Sequence, residues 1–349
     1  GRPETLGLGE SHYWGVWYGR EPFEILRERL PRFMSEFGVQ SFPTLPSLMR
    51  FSRPEDWEIE SPVMRAHQKS SIGNDVILHY IRQEYPEPKT FEDFAYLSQV
   101  MQGQGIALGL RAHRAAAPYC MGTLYWQLND AWPAVSWSSI DYYGAWKALH
   151  YQTKRAFEPI ILVPDTAKGK VLIAHDPLPN SVNAVLEVSI YDFSGNLHRE
   201  ISHQPVCLDY ALSVETLPMP DYVLDLDQET ARRSYIHYRL IEQATGRELA
   251  FFVDYAAKVK DLDLMPAASY TLCHWKSDEG YTVELYSGIL LKDVYIDTGS
   301  PDWHVSDNFF DALPGQTYRL QITPRAGLSK KPAELKGLRL RHMGSVLPH

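Results

Sequence analysis

Hydrophobic and polar positions follow two rhythms along this chain, and the change between them falls near residue 160. Before it, strand-like and helix-like stretches alternate. Residues 12–18 (HYWGVWY) are rich in aromatics and predict a strand, and Pro22 followed by FEILRERL predicts a helix with proline in its first turn. A strand is expected at 32–38 (RFMSEFG), then an irregular stretch rich in Pro and Ser with short helical pieces near 61–69 and 72–84. A long helix should run from about 91 to 117, with Thr90 as its N-cap and Asp93 three residues on. Residues 119–128 (YCMGTLYWQL) predict another strand and 145–158 (AWKALHYQTKRAFE) another helix. This order predicts parallel strands joined by crossover helices.

Beyond residue 160 the helical period disappears, and short alternating runs separated by turn residues replace it. VLIAH at 171–175, AVLEVSIYDF at 184–193, the turn Ser194-Gly195-Asn196 and LHREIS begin one antiparallel set; YIHYRLIE at 235–242, the Thr245-Gly246 turn and ELAFFVDY complete it. Residues 256–266 read as a connector, and a second set covers 270–275, 281–296, 317–323 and 336–341. Both sets match the immunoglobulin-like size class of β-sandwich. The expected domains are therefore an α/β part over 1–159, a β-sandwich over 160–260 and a C-terminal β-sandwich over 261–349.

Composition narrows the function. With 34 Lys+Arg against 43 Asp+Glu the net charge is -9, so no broad positive field exists to gather phosphates, and nucleic acid is not an expected partner. No apolar run approaches the roughly 18–20 residues that span a bilayer, so no membrane partner is expected either. Cys120, Cys207 and Cys273 are far apart and form no CxxC pair, and no His/carboxylate cluster has metal-ligand spacing, so neither a metal nor another cofactor is expected. None of the six Asn residues begins an N-glycosylation sequon, which disfavours a eukaryotic lysosomal or secreted glycoprotein and points to a bacterial protein, periplasmic or cytoplasmic. The 9 Trp and 21 Tyr are many for 349 residues; their flat faces suit stacking on sugar rings, although packing inside β-sandwiches employs most such residues.

One motif stands out: Ser35-Glu36-Phe37-Gly38, at the end of a predicted strand and just before a loop. The C-terminal tip of a parallel strand is where α/β barrels keep their chemistry. Taken alone, a Glu there is most often a solvated loop residue. Its neighbours alter the weighting, because Tyr18 ends the preceding predicted strand and Trp126 lies near the end of the next. Three adjacent strands would set a phenol and an indole on either side of Glu36, which suits a carboxylate nucleophile that needs an orienting donor and an aromatic wall for a sugar. Asn129 and Asp130 either orient substrate hydroxyls or cap a turn, the turn being favoured, while His67 and His79 read as solvated or satisfied helix residues.

HYWGVWYG, SEFG and GTLYWQLNDAWP, together with HQKSSIGN at 67–74 and DNFFDALPG at 307–315, resemble the C-terminal half of glycoside hydrolase family 2, most closely its β-mannosidases. The resemblance spans essentially the whole chain. It implies an α/β plus all-β fold: the C-terminal part of a (β/α)8 TIM barrel, strands six to eight, followed by two immunoglobulin-like β-sandwich domains. It further implies a retaining exo-β-mannosidase working by double displacement on a β-mannoside oligosaccharide or glycan. In it Glu36 is the nucleophile, Trp126 the platform under the sugar, Tyr18 a hydrogen-bond donor to the nucleophile, and His12 and Trp14 line the pocket. Whether Tyr18 or Trp14 meets the carboxylate depends on the register of their strand.

A retaining glycosidase also needs a second carboxyl about 5–5.5 Å from the first. In this family that Glu follows an Asn, and the chain contains no Asn-Glu dipeptide. Three strands also fall short of a closed barrel, which takes about 250 residues. The expectation is that the acid/base and the first five strands lie on a missing N-terminal half, leaving an open edge at the HYWGVWY strand and an unpaired apolar helix face. An endo-acting relative, another family 2 glycosidase and a non-catalytic carbohydrate-binding fragment are the alternatives.

Overall fold

In the computed structural model, which describes residues 5–265, 270–328, 332 and 334–347, the parallel part is built from very short strands. β1 (Ser11–His12) and β2 (Met34–Glu36) pair in parallel, and an isolated parallel bridge joins Met34 to Thr123 on the other side. The HYWGVWY strand therefore ends at His12. The amides of Trp17 and Tyr18 both donate to the Trp14 carbonyl, and that of Glu21 to the Gly15 carbonyl, so the chain turns back on itself. Strand propensity in aromatics reflects fit to a half-buried pleated surface, and here Tyr13, Val16 and Trp17 bury together in a turn instead. FEILRERL forms only a short 3-10 helix at Phe23–Arg27, and 119–128 is mostly irregular.

Helices supply the remainder of this part: α1 (Leu45–Leu48), α2 (Pro62–His67), α3 (Gly73–Glu84), α4 (Phe91–Ala115) and α5 (Ala148–Ala156). Thr90 and Asp93 close a reciprocal capping box at the start of α4, each side chain accepting the other's amide. The polar positions of α4 are buried against the chain that leaves β2. Gln102 donates to the Val39 carbonyl (2.8 Å) and accepts from the Ser41 hydroxyl (2.5 Å), while the Ser98 hydroxyl receives the Phe42 amide. A buried stretch that forms no sheet thus has its backbone satisfied by side chains.

The next unit stacks two antiparallel sheets. One orders β3 (Ile160–Asp165), β4 (Lys170–His175) and β7 (Ser213–Pro218); the other orders β6 (Leu197–Leu208), β5 (Val182–Asp192), β8 (Ser234–Glu242) and β9 (Glu248–Asp254). Leu162, Val171 and Ile173 of the first sheet meet Leu186, Val188, Ile236 and Tyr238 of the second. In the last unit the sheet β10 (Tyr270–Ser277), β11 (Gly280–Ser287), β15 (Thr317–Pro324) and β13 (Trp303–Val305) shares a core with β14 (Phe310–Ala312), β12 (Leu291–Asp297) and β16 (Arg339–Arg341). The run expected at 281–296 thus divides into β11 and β12, which lie in different sheets. Residues 256–266 are more than a connector: Leu262 and Leu264 are buried in the core of the helical part, and residue 266 lies outside the described residues.

The DNFFDALPG motif fastens the last sandwich to α5. Arg155 donates to the Asp307 carboxylate (2.6 Å) and to the carbonyls of Asn308 (3.2 Å) and Phe309 (2.7 Å), and the Gln152 amide reaches the same Phe309 oxygen. Asn308 spends its side chain on both backbone groups of Ile296, so the loop is tied to β12 as well. Because three acceptors lose one donor, Arg155→Met is expected to lower stability by about 1.5–3 kcal/mol, read from urea unfolding curves. A change below about 0.5 kcal/mol would mean that Phe309 packing alone holds the joint.

Candidate active site

Glu36 ends β2, and its side chain keeps 29% of its surface exposed. Parallel pairing places His12 directly beside it in register, and the Tyr13 amide donates to the Glu36 carbonyl. Two side chains from that neighbouring segment converge on one carboxylate oxygen. The Trp14 indole N–H donates to Oε2 at 3.2 Å, and His12 Nδ1 lies 3.7 Å from the same atom. Oε1 has no partner among the described residues.

Behind this pair lies a layer that strand reasoning missed. His12 Nε2 sits 3.1 Å from Glu10, and Ser35 donates to Glu10 and to the Ser11 carbonyl (3.1 Å). Imidazole thus bridges two carboxylates. Glu10 precedes His12 by two residues, so alternation along an extended strand is the signal that would have found it. Trp137 is the other omission: its ring packs edge-on against Trp14 (6.3 Å) and Trp17 (5.2 Å), fixing the indole that contacts Glu36. Nothing in its local sequence marks it.

Trp126 comes beside β2 through its own backbone. Its amide donates to the Phe37 carbonyl at 2.9 Å, its peptide bond to Gln127 is cis, and the residue is 44% exposed. A β-carbon on Gly38 would overlap the Trp126 carbonyl oxygen, so the glycine of SEFG is required by close backbone approach. Tyr18 is not brought to Glu36. It is 70% exposed in the turn after Trp14, with its ring centroid 6.2 Å from the Trp14 ring, and it makes no hydrogen bond to the carboxylate among the described residues. The donor is Trp14 because the segment stops being a strand before Tyr18.

The loop after Trp126 is anchored from below. Asp130 is buried, paired to Lys69 at 2.7 Å, and accepts the hydroxyls of Ser136 and Ser138 at 2.6 Å each. This joins the HQKSSIGN segment to WQLNDAWP and gives Asp130 more to do than cap a turn. The Asn129 backbone carbonyl accepts from the Gln127 amide; His67 stacks on Phe51 with Nδ1 at 2.7 Å from the Pro133 carbonyl, and His79 bonds Gln83. Lys147 is fully buried and donates to the carbonyls of Ser41 (3.1 Å) and Ser136 (3.2 Å), clamping the strands that leave Glu36 and Trp126.

An Ig-fold domain model, that of the mannosidase Ig domain, matches residues 268–346. The chain is 28% identical to the β-mannosidase of Bos taurus over 327 residues, covering 88% of this chain and 37% of that protein. Among solved structures, the β-D-mannosidase of Dictyoglomus thermophilum superposes with a TM-score of 0.79 at 25% identity, over 96% of this chain and 40% of that one. The exo-chitosanase of Amycolatopsis orientalis, at 16% identity and a TM-score of 0.71 over 97% of this chain and 45% of that one, shares the fold. The chain is thus similar to part of each of several glycoside hydrolases. Within that class the similarity is to β-mannosidases, and the chain spans under half the length of these relatives.

Burial pushes the Lys147 ammonium down to about 7 from its ordinary 10.5, against the pull of Asp130 and Asp141. The unfolded chain therefore binds one more proton than the folded chain between about pH 7 and pH 10.5, and this residue makes stability rise with pH across that window. Lys147→Met should flatten that rise relative to the parent in unfolding experiments at pH 7 and 9.5. Parallel profiles for the two proteins would show that Lys147 stays charged in the fold.

Proposed function

We propose that this chain carries the nucleophile-bearing part of a retaining exo-β-mannosidase, with Glu36 as the nucleophile. The observation that carries this reading is the arrangement of Glu36: at the C-terminal tip of a parallel strand, with Oε2 held by Trp14, Oε1 without a partner among the described residues, and the next residue, Phe37, receiving the amide of the exposed Trp126. In the first displacement Oε1 attacks the anomeric carbon of a terminal β-mannoside. The glycosidic bond breaks, and the leaving oxygen takes a proton from a carboxylic acid on another segment. Water then gives a proton back to that acid's conjugate base and attacks the same carbon, releasing mannose and restoring the Glu36 carboxylate.

The Trp14 N–H and His12 stabilise the carboxylate whenever it is free and hold its plane, so that attack requires no reorganisation. Trp126 offers an aromatic face to the C–H side of the sugar, and Glu10 holds His12 from behind. On this reading the three parallel segments at 11–12, 34–36 and 123 are the last strands of a (β/α)8 barrel, over domain 1–159, with sandwiches at 160–260 and 261–349. The exposed Met121, Leu124 and Leu128 beside them support a covering barrel segment that supplies the acid/base.

Azide in place of the carboxylate tests the assignment. In the enzyme containing this chain, Glu36→Gly should lower turnover of an activated aryl β-mannoside about ten-thousand-fold. Added azide should attack from the α face, expel the aryloxide and accumulate α-mannosyl azide. Turnover that persists in the variant, or rescue yielding the β-azide, would contradict the nucleophile role.

A further inference from the structure

A cavity of about 170 Å³ lies between the first turns of α4 and the strands β12 and β16, and it shares no lining residue with the site around Glu36. One wall is aromatic: Tyr295 and Phe309 stack with centroids 4.9 Å apart. The opposing groups are polar and incompletely bonded. Gln99 is only 3% exposed, and its oxygen accepts the Ala148 amide, which leaves its amide nitrogen without a partner among the described residues. Asp297 is also buried; one carboxylate oxygen takes the Gly299 amide and the other takes nothing among the described residues. Directly across the strand pair from Asp297 stands Arg339, whose guanidinium makes no hydrogen bond or ion pair among the described residues. Buried polar groups are ordinarily satisfied, so an unpaired amide and an unpaired carboxylate oxygen around one space, with the exposed Arg339 guanidinium at its mouth, mark a place shaped for a ligand.

We propose that this cavity is a second carbohydrate-binding site that takes one neutral sugar residue. Charge selects the ligand class. Arg339 and Arg341 are balanced by Asp297 and Glu92 in the same lining, so an anion would face carboxylates and a cation would face guanidiniums. A hydroxyl donates and accepts at once. Adjacent hydroxyls of a sugar therefore give a hydrogen to the free Asp297 oxygen and receive hydrogens from Gln99 and Arg339, while its C–H face meets the aromatic wall. Volume limits the ligand to a single ring, since a cavity of about 150 Å³ already admits a six-membered one. Arg341 is held in place by Asp93, the capping residue of α4, so occupancy of this site bears on the seam between the last sandwich and the helical part.

Calorimetric titration of the intact protein with methyl β-D-mannoside and methyl β-D-glucoside tests the proposal. Trp126→Ala removes binding at the Glu36 face, and in that background one saturable site should remain. Arg339→Met, at the exposed mouth, and Gln99→Leu, inside, should each weaken that site about tenfold or more with far-UV circular dichroism unchanged. Should Gln99→Leu fail to fold, Arg339→Met decides alone. Absence of a saturable site in the Trp126→Ala background, or a site indifferent to Arg339→Met, would overturn the proposal. Tighter binding of D-gluconate than of either glycoside would overturn the neutral-ligand assignment. None of these outcomes depends on the role of Glu36.

Discussion

The backbone of Trp126 passes against Gly38 so closely that no side chain fits between them, and the rest of the site is arranged around that contact. The hydrogen bond from the Trp126 amide to Phe37 fixes the height of the indole relative to the tip of β2. Lys147 then clamps the onward chains through the carbonyls of Ser41 and Ser136, and the buried Asp130–Lys69 pair holds the loop that follows. A site on strands this short depends on such supports, since little sheet is available to hold it.

The same logic extends to the sandwiches. The last one is joined to the helical part where Tyr96 donates to the Asp293 carbonyl at 2.6 Å and to the middle unit where Tyr255 donates to Asp311 at 2.6 Å, while Lys292 pairs with Asp293 at 3.0 Å within β12 between these contacts. Side chains from both sandwiches, including Phe193, Tyr235, Leu290 and Phe309, enter the core that also contains Phe37 and Trp17. Glu36 is thus backed by a core to which all three parts of the chain contribute. Buried ionic seams of this kind specify one docking geometry more than they add stability, because removing one partner leaves the other uncompensated.

Much of this was legible in the sequence where local rules and tertiary context agree. The long helix and its Thr90 cap, the strands at 184–192 and 235–242, and the exposed carboxylate of SEFG follow from period, capping and turn chemistry. Strand β3 is not among the expected strands; it carries Pro164, which its place at the edge of the sheet tolerates, and it is covered on both faces, which hides the alternation. Tyr18 was misplaced by the strand propensity of aromatics that instead pack around a turn. Glu10 lies two residues from His12 on an alternating stretch, whereas Trp137 and Lys147 act through contacts distant in sequence that no short window contains.

The central claim is that the Glu36 carboxylate becomes covalently bonded to the sugar. Its most direct test is peptide mass spectrometry of the enzyme containing this chain after exposure to 2-deoxy-2-fluoro-β-mannosyl fluoride, whose fluoride leaves readily and whose 2-fluorine slows release of the glycosyl-enzyme. The account predicts one fluorosugar on the peptide that contains Glu36 and loss of that label in Glu36→Gln. A label on a different carboxylate, with the Glu36 peptide unmodified in an enzyme that the reagent inactivates, would contradict it.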